Sequence, residues 1–188
     1  MFEGLNLLLS DQPTRLDAVL IPDPRKVSPE TPMPSIGTLD AVCERMSHLG
    51  LKLTSNTEYP TANRLAFGIT LFQMCFERSE ALQTLAQVFP EFDRLLRKSA
   101  DFVFQINHPR LEAPGDVDGK VEIHYLQKWY FAEQKVDGGP KSGPIKAFTA
   151  NVDLDISTGL SAARKWSAKE SADIVPHLIE SAKRALEG

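Results

Sequence analysis

Two aspartates, Asp153 and Asp155, are the residues whose type and spacing most resemble a chemical site. They alternate with apolar residues along the segment AFTANVDLDI, so both carboxylates fall on one face of a strand. Adjacent carboxylates can share a proton or bind a divalent cation through oxygen ligands. The same alternation is typical of a solvated polar face whose acids pair with Lys or Arg of a neighbouring strand. Both interpretations stay open at this stage.

A second cluster of polar residues follows the apolar alternation of FVFQI and consists of Asn107, His108 and Arg110 around Pro109. Proline lacks a backbone donor and favours an extended conformation in the residue before it, which predicts that the strand ends here in a rigid corner. Arginine can bind a carboxylate or a phosphate, whereas asparagine can equally cap its own turn. The corner is therefore a candidate ligand site or a structural cap.

A third candidate is Lys128, which precedes Trp129 and shares a strand face with His124 and Tyr130. A basic and aromatic strand face can form the floor of a ligand site. It is also ordinary cross-strand packing.

The familiar catalytic and metal motifs are missing from the sequence. It has no Gly-rich phosphate loop followed by Lys-Ser or Lys-Thr, and no dinucleotide fingerprint. The segment GPKSG at 139–143 has the wrong spacing for a nucleophile elbow. The four histidines are far apart, and none has a second ligand at metal spacing. We therefore expect no cofactor, no metal and no catalytic residue.

The N-terminal half alternates between strand and helix patterns. Strands are predicted over residues 5–9, 15–21, 51–57, 64–75 and 101–108. Five prolines between Pro22 and Pro34 predict an extended surface loop. A helix is predicted from the N-cap Thr38 to a stop at Gly50, and a second helix from Ser79. This order favours a ferredoxin-like βαββαβ arrangement.

The C-terminal half contains two long strand patterns, over residues 121–131 and 145–156, and then a capping box at Ser167 and Glu170 before a last helix. One apolar and one polar face per strand is typical of an antiparallel sheet. The sequence predicts an α+β protein with one antiparallel sheet of about six to eight strands and its helices mainly on one face of that sheet. Residues 1–188 are expected to form a single domain, with a candidate subdivision near 112–119.

The composition bears on where the protein is located in the cell and on which classes of partner it can bind. The chain has 188 residues and a formal net charge of −4, which argues against sequence-independent binding to nucleic acid. Two cysteines, Cys43 and Cys75, lie among apolar neighbours, and no signal peptide is evident. No apolar run approaches the ~20 residues of a membrane span. We expect a cytoplasmic protein with no membrane association.

Five sequence blocks carry a resemblance to known proteins. They are RLAFG at 64–68, ERSEAL at 77–82, DFVFQINHPR at 101–110, LQKW at 126–129 and VDLDIST at 152–158. In this order they resemble a sporadically distributed family of uncharacterised bacterial proteins, over roughly residues 60–160. The resemblance implies a bacterial protein and brings no activity or catalytic residue with it. The patchy distribution of that family is compatible with mobile-element or defence-linked genes.

These observations favour a non-enzymatic binding protein that acts through a protein partner or as a homodimer. The candidate binding residues are Asn107, Arg110, Lys128, Asp153 and Asp155. The alternative is a small-ligand binder or hydrolase that uses a polar sheet face. That alternative requires Arg110 and Lys128 to converge with the two aspartates in one concave pocket.

Overall fold

The computed structural model describes residues 5–12, 15–22, 35–55, 61–137, 144–159 and 164–187. The strands are β1 (Leu5–Gln12), β2 (Arg15–Pro22), β3 (Ala66–Cys75), β4 (Val103–Glu112), β5 (Val121–Asp137) and β6 (Pro144–Thr158). The helices are α1 (Leu39–Thr54), α2 (Arg78–Val88), α3 (Asp93–Leu96) and α4 (Ala168–Glu187), with a 3₁₀ turn at Pro90–Phe92. Most of the proline-rich segment, residues 23–34, and the predicted loop at 138–143 lie outside the described residues.

Within the described ranges, every strand pair is antiparallel, and the strands form two sheets. β1 and β2 pair as a hairpin, and the other strands form a four-stranded sheet in the order β3-β6-β5-β4. The long strands β5 and β6 are therefore central, while β3 and β4 are the edges. The predicted α+β class with antiparallel strand pairing is confirmed. The prediction of one sheet of about six to eight strands is wrong, because the described strands divide into a four-stranded sheet and a separate hairpin.

The helices pack on one face of the four-stranded sheet, called here the covered face. α1 and α4 cover one half, where Ile156 and Leu154 of β6 pack against Ile174 and Leu178 of α4. α2 and Leu96 of α3 cover the other half. The four residues of β6 and α4 named above are 0–2% exposed, so the layer between the sheet and α4 is the main apolar core.

The opposite face is called the open face, because the core-forming helices do not pack on it. Its side chains alternate with those of the covered face, and one row runs across all four strands. That row is Thr70, Asp153, Lys128 and Gln105, each opposite the next in the strand register. The three strands that carry the predicted site residues, β4, β5 and β6, thus lie side by side, and each contributes side chains to the open face.

The ferredoxin-like arrangement predicted for the N-terminal half is wrong. It requires a strand over residues 51–57, but α1 continues to Thr54 and Ser55 forms its C-cap. Gly50 is therefore inside the helix and does not end it. A Cβ atom at Gly50 would lie 2.6 Å from Cγ1 of Val175, so this glycine allows α1 and α4 to approach closely.

The capping box predicted before the last helix is confirmed. The carboxylate of Glu170 accepts hydrogen bonds from the backbone N and Oγ of Ser167, at 2.9 and 2.8 Å. The backbone N of Glu170 in turn donates to Ser167 Oγ. These bonds satisfy groups that the start of a helix leaves unpaired and fix the start of α4.

Candidate functional site

The two aspartates lie on the open face of the central strand β6, as alternation predicts. Asp153 accepts a hydrogen bond from the Thr70 hydroxyl at 2.7 Å and one from the Tyr130 hydroxyl at 3.3 Å, both on Oδ1. Burial raises the pKa of Tyr130, and the charge and hydrogen bond of Asp153 raise it further. Tyr130 therefore remains a neutral hydroxyl donor, which suits it to holding a carboxylate in place.

Asp155 is held by a cation, the guanidinium of Arg64. Nη2 of Arg64 lies 3.2 and 3.1 Å from its two carboxylate oxygens and 2.9 Å from Ser157 Oγ. The side chains of Arg64 and Asp155 are 38% and 40% exposed. The two aspartates are thus engaged by separate donors.

Lys128 is opposite Asp153 in the ladder, so the predicted pairing of opposite charges on neighbouring strands is found in the register. Its ammonium group lies 4.9 Å from the centroid of the Tyr130 ring. Lys128, Tyr130 and Asp153 therefore form one cluster. The Lys128 ammonium lies over the Tyr130 ring, and the Tyr130 hydroxyl donates a hydrogen bond to Asp153.

Asn107 joins the open face at its β4 edge through His124. Asn107 Nδ2 lies 3.0 Å from His124 Nδ1, and His124 Nε2 lies 2.6 Å from Glu122 Oε1. An amide N–H can only donate, so Nδ1 accepts and Nε2 carries the proton that bonds to Glu122. This chain holds the imidazole in one tautomer on the sheet surface.

Arg110 does not join the other four residues. The corner predicted at Pro109 is wrong, because the strand does not end there. β4 continues through Pro109 to Glu112 as an edge strand, where a residue without an N–H is tolerated. In a continuous strand, positions 107 and 110 fall on opposite faces. The guanidinium of Arg110 lies on the covered face, 5.0 Å from the Tyr125 ring.

The covered face has a polar cluster of its own, which the sequence did not indicate. Tyr125 donates a hydrogen bond to Glu112 Oε1 at 2.5 Å, and His177 Nε2 of α4 lies 2.6 Å from Glu112 Oε2. Burial pushes the pKa of Glu112 upward, but the hydrogen bonds from Tyr125 and His177 outweigh it and leave the pKa below its ordinary value. This cluster joins the sheet to α4.

Two of the surface cavities among the described residues are well enough formed to consider, and neither is lined by any of the five predicted site residues. One of about 280 Å³ lies between α1 and α4 beside Cys43, His48 and Lys183. Burial raises the pKa of the Cys43 thiol, which therefore stays protonated and a poor nucleophile. The other, of about 210 Å³, is mainly apolar and lies between α2 and the sheet beside Trp129.

Metal ligands do not converge in the part of the chain that the structure describes: no group of three His, Cys, Asp or Glu side chains comes together there. Over the same residues, no helix is both long enough and apolar enough to cross a membrane.

Sequence reasoning missed two residues that organise the open face, Arg64 and Thr70. Each bonds to an aspartate more than eighty positions away in sequence. Only the pairing of β3 with β6 brings them together, so no local spacing could have indicated these contacts.

Comparison with known proteins adds no relative. No protein-family model matches the chain, and neither a curated protein nor a solved structure shows significant similarity to it.

Proposed function

We propose that this chain is a non-enzymatic binding protein whose open sheet face binds a protein partner. The observation that carries the proposal is the placement of four predicted site residues. Asn107, Lys128, Asp153 and Asp155 are spread over one open sheet face, and each is already held by neighbouring side chains or rings. A catalytic site would instead bring them together around a cavity.

The dimensions of the open face suit a protein better than a small ligand. Four strands spaced ~4.8 Å apart and about ten residues long, at ~3.3 Å per residue, give a face of roughly 600 Å². Thr149, Asn151 and Ser157 of β6 lie on this face but are only 0–7% exposed, so its accessible part is smaller. A standard protein interface covers ~800 Å² of each partner, so the face would supply part of one.

The charge of the open face favours a basic partner surface. Among the described residues of the open face, the carboxylates of Glu122, Asp153 and Asp155 outnumber the basic groups of Arg64 and Lys128. Asp153 uses only Oδ1 in its hydrogen bonds to Thr70 and Tyr130. A carboxylate has about four acceptor positions, so it can still accept bonds from an incoming Lys or Arg.

The side chains of the open face are also held in place before binding. The Arg64–Asp155 pair and the Tyr130–Asp153 bond fix rotamers that would otherwise have to be ordered in the complex. Ordering a long side chain at an interface costs ~0.5–1.5 kcal/mol, so preorganisation increases affinity.

The experiment compares capture by the parent, by the double variant Asp153→Asn/Asp155→Asn, and by the control Arg110→Gln on the covered face. Each tagged protein is used to capture partners from the native host. The first proteins to test are the products of neighbouring genes, because the resemblance noted above is compatible with a mobile-element or defence locus. The recovered partner is then purified and titrated against all three.

We expect the double variant to bind the purified partner at least about tenfold more weakly, which corresponds to ~1.4 kcal/mol. Arg110→Gln should bind like the parent, and the parent's affinity should fall as salt is added. Equal binding by all three proteins would contradict the proposal. So would a turnover activity that the double variant loses while association is unchanged.

A further inference from the structure

The two edges of the four-stranded sheet differ in how they are protected. β4 carries His108, Pro109, Arg110 and Glu112, and proline and charged residues are the usual means of blocking an edge. β3 has the sequence AFGITLFQMC, with no charge and no proline. On its outer side β3 has no strand partner among the residues that the structure describes.

The register of β3 shows which of its residues direct their backbone groups outward. The backbone N of Thr158 donates to the carbonyl of Leu65 at 2.9 Å, so Leu65 faces β6. In an antiparallel ladder, backbone orientation alternates along the strand. The residues whose N–H and C=O groups point away from the sheet are therefore Ala66, Gly68, Thr70, Phe72 and Met74.

We propose that β3 pairs antiparallel with β3 of a second copy of this chain, about a two-fold axis through Thr70. In this register Thr70 lies opposite its own counterpart and Gly68 lies opposite Phe72 of the second copy. Ala66 then lies opposite Met74 of the second copy. Every outward-pointing backbone group from Ala66 to Met74 gains a partner.

The side chains select this register among the antiparallel alternatives. Placing an aromatic ring opposite an edge glycine covers the exposed backbone, and this register does so twice, once at each Gly68–Phe72 pair. A Thr–Thr pair on the axis is a favourable cross-strand pair. A strand without charges pairs with itself without placing like charges opposite one another.

The residues that flank β3, Arg64 and Phe76, are also brought together by the proposed two-fold axis. Phe76 is 69% exposed, and the register brings it level with Arg64 of the second copy. An arginine beside an aromatic ring is a favourable contact, and burying Phe76 removes a large apolar surface from water.

This pairing concerns the edge of the sheet and does not depend on the proposed partner of the open face. It would join the two four-stranded sheets into one of eight strands. The two open faces would then lie side by side, which doubles the surface presented to a partner.

The first test measures self-association by sedimentation velocity, from micromolar concentrations upward. The parent is compared with Thr70→Lys and with the control Gln105→Lys, which adds the same charge on the other edge strand. Thr70→Lys places two like charges opposite one another at the axis and should weaken association about tenfold or more. Gln105→Lys should dimerise like the parent. A parent that stays monomeric, or a dimer unaffected by Thr70→Lys, would overturn the proposal.

The second test fixes the register and does not require the lysine variant to fold. Residues opposite one another in a hydrogen-bonded antiparallel pair have Cα atoms ~5.5 Å apart, which a disulfide can span. Oxidised Thr70→Cys should therefore run as a covalent dimer, whereas Phe72→Cys should not, since the two Phe72 positions lie far from each other in this register. The parent, whose Cys43 and Cys75 are buried, is the control for oxidation. Cross-linking of Phe72→Cys, but not of Thr70→Cys, would overturn the register.

Discussion

The two faces of the central strand β6 differ in what surrounds them. Leu154 and Ile156 point into the helix layer and are buried, whereas Asp153 and Asp155 point to the open face and are only partly buried. Neighbours in sequence thus contribute to different properties of the molecule. The apolar residues stabilise the fold, and the acids are the residues to which we assign the proposed binding. Substitutions of adjacent residues should therefore separate stability from binding.

The largest effect is expected from Ile156→Ala on the covered face. Ile156 is fully buried, so the substitution removes apolar contacts and leaves a cavity. The free energy of unfolding should fall by about 2–5 kcal/mol in urea denaturation. Asp155→Asn, one residue away on the open face, is the matched control and should change it by less than about 1 kcal/mol. Equal losses from the two variants would show that the two faces are not distinct.

Phe104→Ala tests how far the covered face extends towards the β4 edge. The Phe104 ring lies 4.8 Å from that of Phe89 and 6.0 Å from Trp129, but it is only partly buried because β4 is an edge strand. We expect a loss of about 2 kcal/mol, below the ~3–5 kcal/mol of a fully buried phenylalanine. A thermal melt indistinguishable from that of the parent would limit the core to the central strands.

Glu112→Gln tests the polar cluster of the covered face. The pKa of Glu112 is lowered in the folded protein, so its ionised form stabilises the fold above the ordinary value of 4.5. This contribution is lost as pH falls through the lowered pKa. The variant should lose about 1–2 kcal/mol at neutral pH, from weakened charged hydrogen bonds.

The pH profile separates this explanation from simple loss of packing. Between pH 7 and pH 3, the parent should lose more stability than Glu112→Gln, as followed by urea denaturation at each pH. Parallel profiles for the two proteins would show that the ionised carboxylate of Glu112 contributes nothing to folding.

The smallest effect on stability is expected from the double variant Asp153→Asn/Asp155→Asn on the open face. Exposed ion pairs such as Arg64–Asp155 contribute ~0–1 kcal/mol, and asparagine keeps the shape and part of the hydrogen bonding. Its melting temperature should stay within a few degrees of the parent. A loss as large as that of Ile156→Ala would mean that the two acids stabilise the fold. Weaker binding by the double variant could then be explained by its lower stability alone.

The sequence predicted the strand faces better than the chain turns. Alternation placed Asp153, Asp155 and Lys128 on one face correctly, because the period of a strand depends only on local geometry. Two residues do not have the commonest role of their type. The sequence predicts a helix stop at Gly50, which instead allows close packing against Val175, and a corner at Pro109, which instead lies within an edge strand.

The contacts of the site required tertiary structure. Arg64 and Thr70 meet the aspartates only through the β3–β6 pairing, and His177 reaches Glu112 only because α4 crosses the covered face. Neither relation leaves a local pattern in the sequence. The binding role of the open face and the pairing of β3 remain predictions that the experiments above can test.

The most direct test of the central claim is hydroxyl-radical footprinting of the complex with the captured partner. His124 and Tyr130 lie on the open face and Phe92 and Phe102 on the helix side, and all four are partly buried, so each can be compared with itself in the free protein. Binding through the open face predicts that His124 and Tyr130 become protected while Phe92 and Phe102 are oxidised as in the free protein. Protection of Phe92 and Phe102, with His124 and Tyr130 unchanged, would contradict it.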